Sequence, residues 1–197
     1  MRLWSALSLA RWLPTRGVEA TRDELLTRAQ ARTGLTDFGT GDLPAQLDAL
    51  LNSAEADGLL HPRGYALFRA TLLVCLEQRL RFEQARLAAG GGAALARRPL
   101  IVVGLPRSGT TLLHRLLASD PQARALPLWL GLEPWPPPCP EEWAGDDVLG
   151  RRARAATALA ATPNVMGIHP MGVELPEECT HLMRTGLDTL QFSFTRP

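Results

Sequence analysis

Apolar positions recur at helical spacing through the first half of the chain, then switch to a short continuous run. In Thr21-Arg-Asp-Glu24 a threonine N-cap is followed three residues later by glutamate. That is a capping box, and it predicts a helix carrying Leu25, Leu26 and Ala29 inward. Gly34 is a natural stop, and Thr36-Asp-Phe-Gly-Thr-Gly-Asp42 reads as a loop. Leu43, Leu47, Leu50 and Leu51 predict a helix from Leu43 to Ala56, with Gly58 after it. From Arg63 to Ala89, Phe68, Leu72, Leu76 and Leu80 stack every four residues on one face of a long helix and read as core.

Gly90-Gly-Gly92 breaks this pattern as a flexible linker, dividing the chain into a helical region over 1–92 and a second region over 93–197. Leu100-Ile-Val-Val103, bounded by Pro99 and Gly104, has the composition of a buried parallel strand. Leu112, Leu113, Leu116 and Leu117 then predict a helix as far as Ala118. Strand, glycine loop and helix together form the opening of a βαβ unit, so the expected class is α/β. Pro134 to Pro140 is too proline-rich for helix or central strand and is expected to run over the surface. An alanine-rich helix is expected from Arg151 to Ala161. A further helix is expected to open at Pro176, with Glu177 and Glu178 as acids favoured in a first turn.

The 197 residues suffice for one domain, and 46% hydrophobic with 21% charged residues is a globular composition. The net charge of +1 removes the electrostatic case for a nucleic-acid partner. All 21 basic residues are arginine. A Schiff-base lysine and the lysine of an NTPase phosphate loop are therefore both excluded. Cys75, Cys139 and Cys179 are scattered and odd in number, which argues against a zinc site or disulfide framework and for a reducing, cytoplasmic compartment. The longest uncharged stretch, Ala155 to Ile168, is too short to span a bilayer. Met1 to Gly17 lacks acids and carries Trp4 and Trp12. Arg11 and Pro14 spoil a secretory signal there, and an ordinary exposed segment is the expectation.

The informative chemistry lies in Gly104-Leu-Pro-Arg-Ser-Gly-Thr-Thr111. Two glycines five apart arise readily by chance; two threonines directly after them, a strand before and a helix behind make the pattern specific. Backbone amides of such a loop and the start of the Thr110 helix converge on one point, where an anion gains hydrogen bonds and the helix dipole. Thr110 and Thr111 add hydroxyl donors, and Arg107 adds a charge that does not titrate. An NTPase would place lysine after Gly109 and a magnesium-binding aspartate on a later strand. Here Thr110 stands in the lysine position, so a metal-chelated triphosphate is not the expected anion.

The run from Pro99 through Gly104-Leu-Pro-Arg-Ser-Gly-Thr-Thr111 to Asp120-Pro121 resembles the 5′-phosphosulfate loop of sulfotransferases. It is most similar to the bacterial-type branch that shares PRSGTT with tyrosylprotein sulfotransferases. Thr33-Gly-Leu-Thr-Asp-Phe-Gly39 and His169-Pro-Met-Gly-Val-Glu-Leu-Pro-Glu-Glu-Cys179 resemble further segments of that branch. The resemblance implies a P-loop-type parallel-sheet core behind a helical N-terminal region. It implies sulfuryl transfer from 3′-phosphoadenosine 5′-phosphosulfate (PAPS) to a hydroxyl or amine of a small molecule, glycan or lipid, with no metal. Pro106, Arg107, Ser108, Gly109, Thr110 and Thr111 would hold the 5′-phosphosulfate, and Arg107 would neutralise charge as the sulfuryl group leaves.

Transfer to a hydroxyl needs a base. Related sequences often carry a Trp-Glu pair after the loop helix; here Trp129 is followed by Leu130, and Glu133 is the nearest acid. His169 is the other candidate, since histidine suits proton transfer near neutral pH. His61, His114 and His181 read as loop or structural residues, and Glu177 and Glu178 as helix-start acids. The family's arginine and serine for the 3′-phosphate have no counterpart before Pro197. The sequence therefore reads as the N-terminal part of such an enzyme, expected to show no measurable transfer alone and to be marginally folded or aggregation-prone. The alternatives are a non-catalytic helical interaction module and, disfavoured by the absent lysine, a small-molecule kinase.

Overall fold

The computed structural model describes residues 21–56, 62–90, 99–105, 108–160, 169–187, 189 and 192. Thr21 takes up extended backbone and its hydroxyl accepts the Glu24 amide at 3.3 Å, satisfying one of the orphan donors at the start of α1 (Arg22–Thr33). At the far end Gly34 turns left-handed, φ 72°, and its amide bonds the Gln30 carbonyl. Both ends of α1 thus lie where the capping box and the glycine place them. Two further helices, α2 (Leu43–Ala56) and α3 (Pro62–Ala88), follow the expected spans to within a residue.

The chain divides into two compact units, Met1–Gly90 with Leu182–Pro197, and Gly91–His181. In the first, Leu25 and Ala29 of α1, Leu47 and Leu51 of α2, and Leu72, Leu76 and Leu80 of α3 form one buried cluster with Leu187 and Phe192. Phe192 meets Phe68 edge to face, ring centres 6.5 Å apart. Arg79, on α3, donates to the carbonyls of Phe38, Thr40 and Thr185, which fastens the loop after α1 and the short 3-10 turn Arg184–Gly186 to the long helix.

The second unit holds α4 (Thr110–Ala118), α5 (Leu128–Leu132) and α6 (Asp146–Ala160), and α7 (Thr180–Met183) begins at its end. Trp129, Val148 and Ala155 are its buried apolar centre, with Leu130, Leu132, Trp143 and Val173 packed around them. Arg151 of α6 is 3% exposed and is satisfied by the carbonyls of Glu133 and Pro136 and by Asp147. Its guanidinium spans the proline-rich turn and closes it onto α6. That turn is not all surface, because Pro134 and Pro138 are buried.

Three expectations are corrected here. Leu100–Val103 forms no strand: residues 99–105 carry no sheet pairing, and Leu100, Ile101 and Val103 are 75%, 72% and 87% exposed. A strand exists only through ladder bonds to a neighbour. The β pairing among the described residues is an isolated antiparallel bridge, Pro127 with Pro176, so the parallel-sheet core is not present among them. The alanine-rich helix starts at Asp146 rather than Arg151, because Asp146 and Asp147 favour its first turn. The expected helix at Pro176 is absent there; Pro176 sits in the bridge and helix resumes only at Thr180. Met1 to Gly17, His61, Gly91, Gly92, Pro106 and Arg107 lie outside the described residues. No helix among the described residues is long and apolar enough to cross a membrane.

Leu72 is fully buried at the centre of the first cluster. Leu72→Ala is expected to destabilise that unit by about 2–5 kcal/mol, read as a lowered urea midpoint at unchanged helical content.

Candidate functional site

Gly104 and Gly109 shape the loop for opposite reasons. A Cβ on Gly104 would lie 2.6 Å from the Thr110 methyl carbon and 2.8 Å from the Ser108 hydroxyl, so any side chain here would force Thr110 and Ser108 to move. Gly109 has φ 90°, in the region that favours glycine, and no side chain caps α4. Ser108 turns back on Leu105, its amide and hydroxyl both donating to the Leu105 carbonyl. The first bond within α4 runs from the Leu113 amide to the Gly109 carbonyl. The amides of Thr110, Thr111 and Leu112 therefore form the open, positive end of a nine-residue helix. Ser108 and Gly109 lead into this helix start, and Thr110 and Thr111 are its first two residues.

Arg115 lies on the second turn of α4 and donates to the carbonyl of Pro170, the residue directly after His169. The loop helix and the His169 segment are thereby fastened together. His169 Nε2 lies 3.1 and 3.2 Å from the two carboxylate oxygens of Glu177. Glu177 is 3% exposed, and its Oε1 also accepts the Glu178 amide at 2.9 Å. Its own amide bonds the Leu126 carbonyl at 2.9 Å, beside the bridge of Pro127 with Pro176. Glu177 is thus no helix-start acid, which corrects that expectation. Pro170, Gly172 and Pro176 lie between His169 and Glu177, and no local pattern in the sequence marked the two as partners.

One donor atom from each of His169, Glu177 and Glu178 lies within 4.8 Å of the others, a set chemically able to hold a cation. The Glu177 carboxylate, however, is already engaged by the imidazole and the Glu178 amide.

Glu133 is held differently. Both its oxygens receive the Arg154 guanidinium, Nε and the terminal nitrogen each at 2.7 Å. The Glu133 carboxylate raises the Arg154 pKa above its ordinary value, and the pair is a rigid fork rather than a poised proton acceptor. Trp129 is buried, donates Nε1–H to Glu174, and lies under the Arg152 guanidinium at 5.4 Å. Arg152 in turn pairs with Glu174 at 2.8 Å. His181 packs its Cβ on Gly131. Burial pushes the Cys75 thiol up, and hydrogen bonds to Glu142 and Glu141 push up Cys139, so neither is a ready nucleophile.

Comparison with known proteins adds three findings. A family model described as "Sulfotransferase family" matches residues 99–197. The crystal structure of sulfotransferase STF1 from Mycobacterium tuberculosis H37Rv is similar at 32% identity and a TM-score of 0.68, over 90% of this chain and 50% of that one. That of sulfotransferase STF9 from Mycobacterium avium, at 23% identity, matches in fold with a TM-score of 0.70, over 90% of this chain and 46% of that one. The chain thus spans about half the length of these structures. No curated protein sequence matches it.

The Glu133–Arg154 fork has a measurable consequence. Glu133→Ala leaves a largely buried guanidinium without its carboxylate, since the Arg154 side chain is 21% exposed. A loss of about 1–3 kcal/mol in unfolding free energy is expected by thermal or urea denaturation.

Proposed function

The chain belongs to the sulfotransferase family, and from that premise we propose that it carries the donor-binding loop and acceptor-side base of a transferase. That enzyme would move a sulfuryl group from PAPS to a hydroxyl or amine of a small molecule, glycan or lipid. The observation that carries this reading is the open start of α4: a helix end at Gly109 with no side-chain cap, preceded by a loop in which Gly104 packs closely against Thr110 and Ser108. These residues suit the 5′-phosphosulfate end of PAPS, because an anion there meets backbone donors and the helix dipole without displacing a side-chain cap. When bound, PAPS supplies the sulfuryl group and a phosphate leaving group.

The protein's own residues have three tasks. Gly109, Thr110 and Thr111 orient the anion through backbone and hydroxyl donors, Ser108 closes the turn on Leu105 beside them, and Pro106 is assigned to the same loop by the sequence resemblance. Arg107 adds a full positive charge where negative charge accumulates on the departing oxygen. His169, tied to the loop helix through Arg115 and Pro170, takes the acceptor's proton. Glu133 was the other candidate base on sequence grounds; its bidentate bond to Arg154 favours His169 instead.

Calorimetric titration with adenosine 3′,5′-bisphosphate tests the anion site. Arg107→Ala is expected to weaken binding by about 1.5–3 kcal/mol, a factor of about 10–150, the scale of a charge-assisted hydrogen bond. Equal affinity in the two proteins would remove Arg107 from the site.

A further inference from the structure

A carboxylate buried to 3% exposure is costly unless donors surround it. Glu177 has two: the Glu178 backbone amide at 2.9 Å and the His169 ring at 3.1 and 3.2 Å. An ionised carboxylate only accepts, so the ring nitrogen facing it must carry a proton. In a neutral imidazole the other nitrogen is then the lone-pair acceptor. The imidazole is also anchored through its backbone, since Arg115 of α4 holds the adjacent Pro170 carbonyl. Glu177 is itself fixed at its amide by Leu126, next to the bridge joining Pro127 and Pro176. Both partners are therefore held from the main chain as well as through each other.

We propose that Glu177 is the positioning residue for His169: its buried carboxylate takes the Nε2 proton in a hydrogen bond, fixes the tautomer, and leaves Nδ1 as the nitrogen that receives the acceptor's proton. This rests on the reading of His169 as the base. As the acceptor oxygen forms its bond to sulfur, the sulfur–oxygen bond to the nucleotide phosphate breaks and the hydroxyl proton passes to Nδ1. The nucleotide leaves as adenosine 3′,5′-bisphosphate. The ring becomes an imidazolium, and its charge is balanced by the carboxylate already in contact with Nε2. Glu177 keeps its own charge state throughout and touches no reacting atom.

The arrangement makes a sharp demand on one isosteric variant. In Glu177→Gln the side-chain oxygen stays with the Glu178 amide, and His169 Nε2, at 3.1 and 3.2 Å from the two positions, meets one acceptor and one NH₂ donor in place of two acceptors. The preference for a proton on Nε2 is thereby lost, and the ring divides between its two tautomers. A base whose lone pair is partly turned away, and whose imidazolium has lost its counter-charge, is a poor base, as when a catalytic aspartate behind a histidine is replaced by its amide.

The test is two-bond ¹H–¹⁵N correlation on protein labelled at its four histidines. His169→Ala assigns the His169 signals, and the spectra are taken at about pH 8.5, where an ordinary imidazole is neutral. Wild-type His169 is expected in a single tautomer with the proton on Nε2, and Glu177→Gln with a substantial population protonated on Nδ1 and an unchanged circular dichroism spectrum. A wild-type ring with averaged tautomers, or a proton on Nδ1, overturns the positioning role without recourse to any variant. An unaltered tautomer in a folded Glu177→Gln protein does the same. Sulfuryl transfer from radiolabelled PAPS to a panel of phenols and alcohols reads the base separately, in a chain extended to the length of its solved relatives, since this chain alone is expected to show none. His169→Ala and Glu177→Gln should each lower kcat by about 100-fold or more, with little change in KM for PAPS. A fixed Nε2–H tautomer with no transfer by the wild type, or with transfer undiminished in His169→Ala, overturns the base reading while leaving the hydrogen bond intact.

Discussion

Among the described residues of the second unit, the buried carboxylate of Glu177 sets the strongest local demand. Glu177 has almost no access to water, and removing a charge from water costs several kcal/mol unless partners replace the lost hydration. Its partners come from two directions: the ring of His169 and the following backbone amide. Its own amide joins it to Leu126, and the Leu128 and Trp129 amides bond the carbonyls of Leu175 and Val173 in the same strip. That strip leads into α5, where Trp129 is buried under Arg152 and bonded to Glu174. Through Pro170 the histidine side of the pair is tied to Arg115, one turn beyond the anion-suited end of α4. The loop that would hold a donor and the histidine that would take a proton therefore belong to one hydrogen-bonded assembly.

The two carboxylates on either side of α5 show how environment divides roles. Glu133 is gripped by a guanidinium at two equal distances and acts as a structural clamp on α6. Glu177 faces a group that can itself change charge. A carboxylate against a permanent cation has little left to do in proton transfer; one against an imidazole sets which nitrogen is available.

Local signals were readable in the sequence and long-range pairings were not. The Thr21 cap, the Gly34 stop and the leucine stacks of α2 and α3 are decided within a few residues, and they lie where the spacing puts them. The glycines of the 104–111 loop were legible for the same reason, as was the family resemblance built on that loop. Glu177 was misread because two acids after a proline have a cheap local explanation, while its burial depends on pairing with Leu126 and His169. The Arg154 grip on Glu133 spans 21 positions and left no trace in the pattern. Leu100–Val103 has strand composition, yet strand formation depends on partners, and among the described residues none pairs with it.

The account stands on the start of α4 being an anion site. Backbone amide chemical shifts followed by NMR while adenosine 3′,5′-bisphosphate is added test this most directly. The largest shifts are predicted at the amides of Ser108, Gly109, Thr110, Thr111 and Leu112, saturating together and weakening with added salt. Saturable shifts confined to other parts of the chain, with these five amides unmoved, would contradict it.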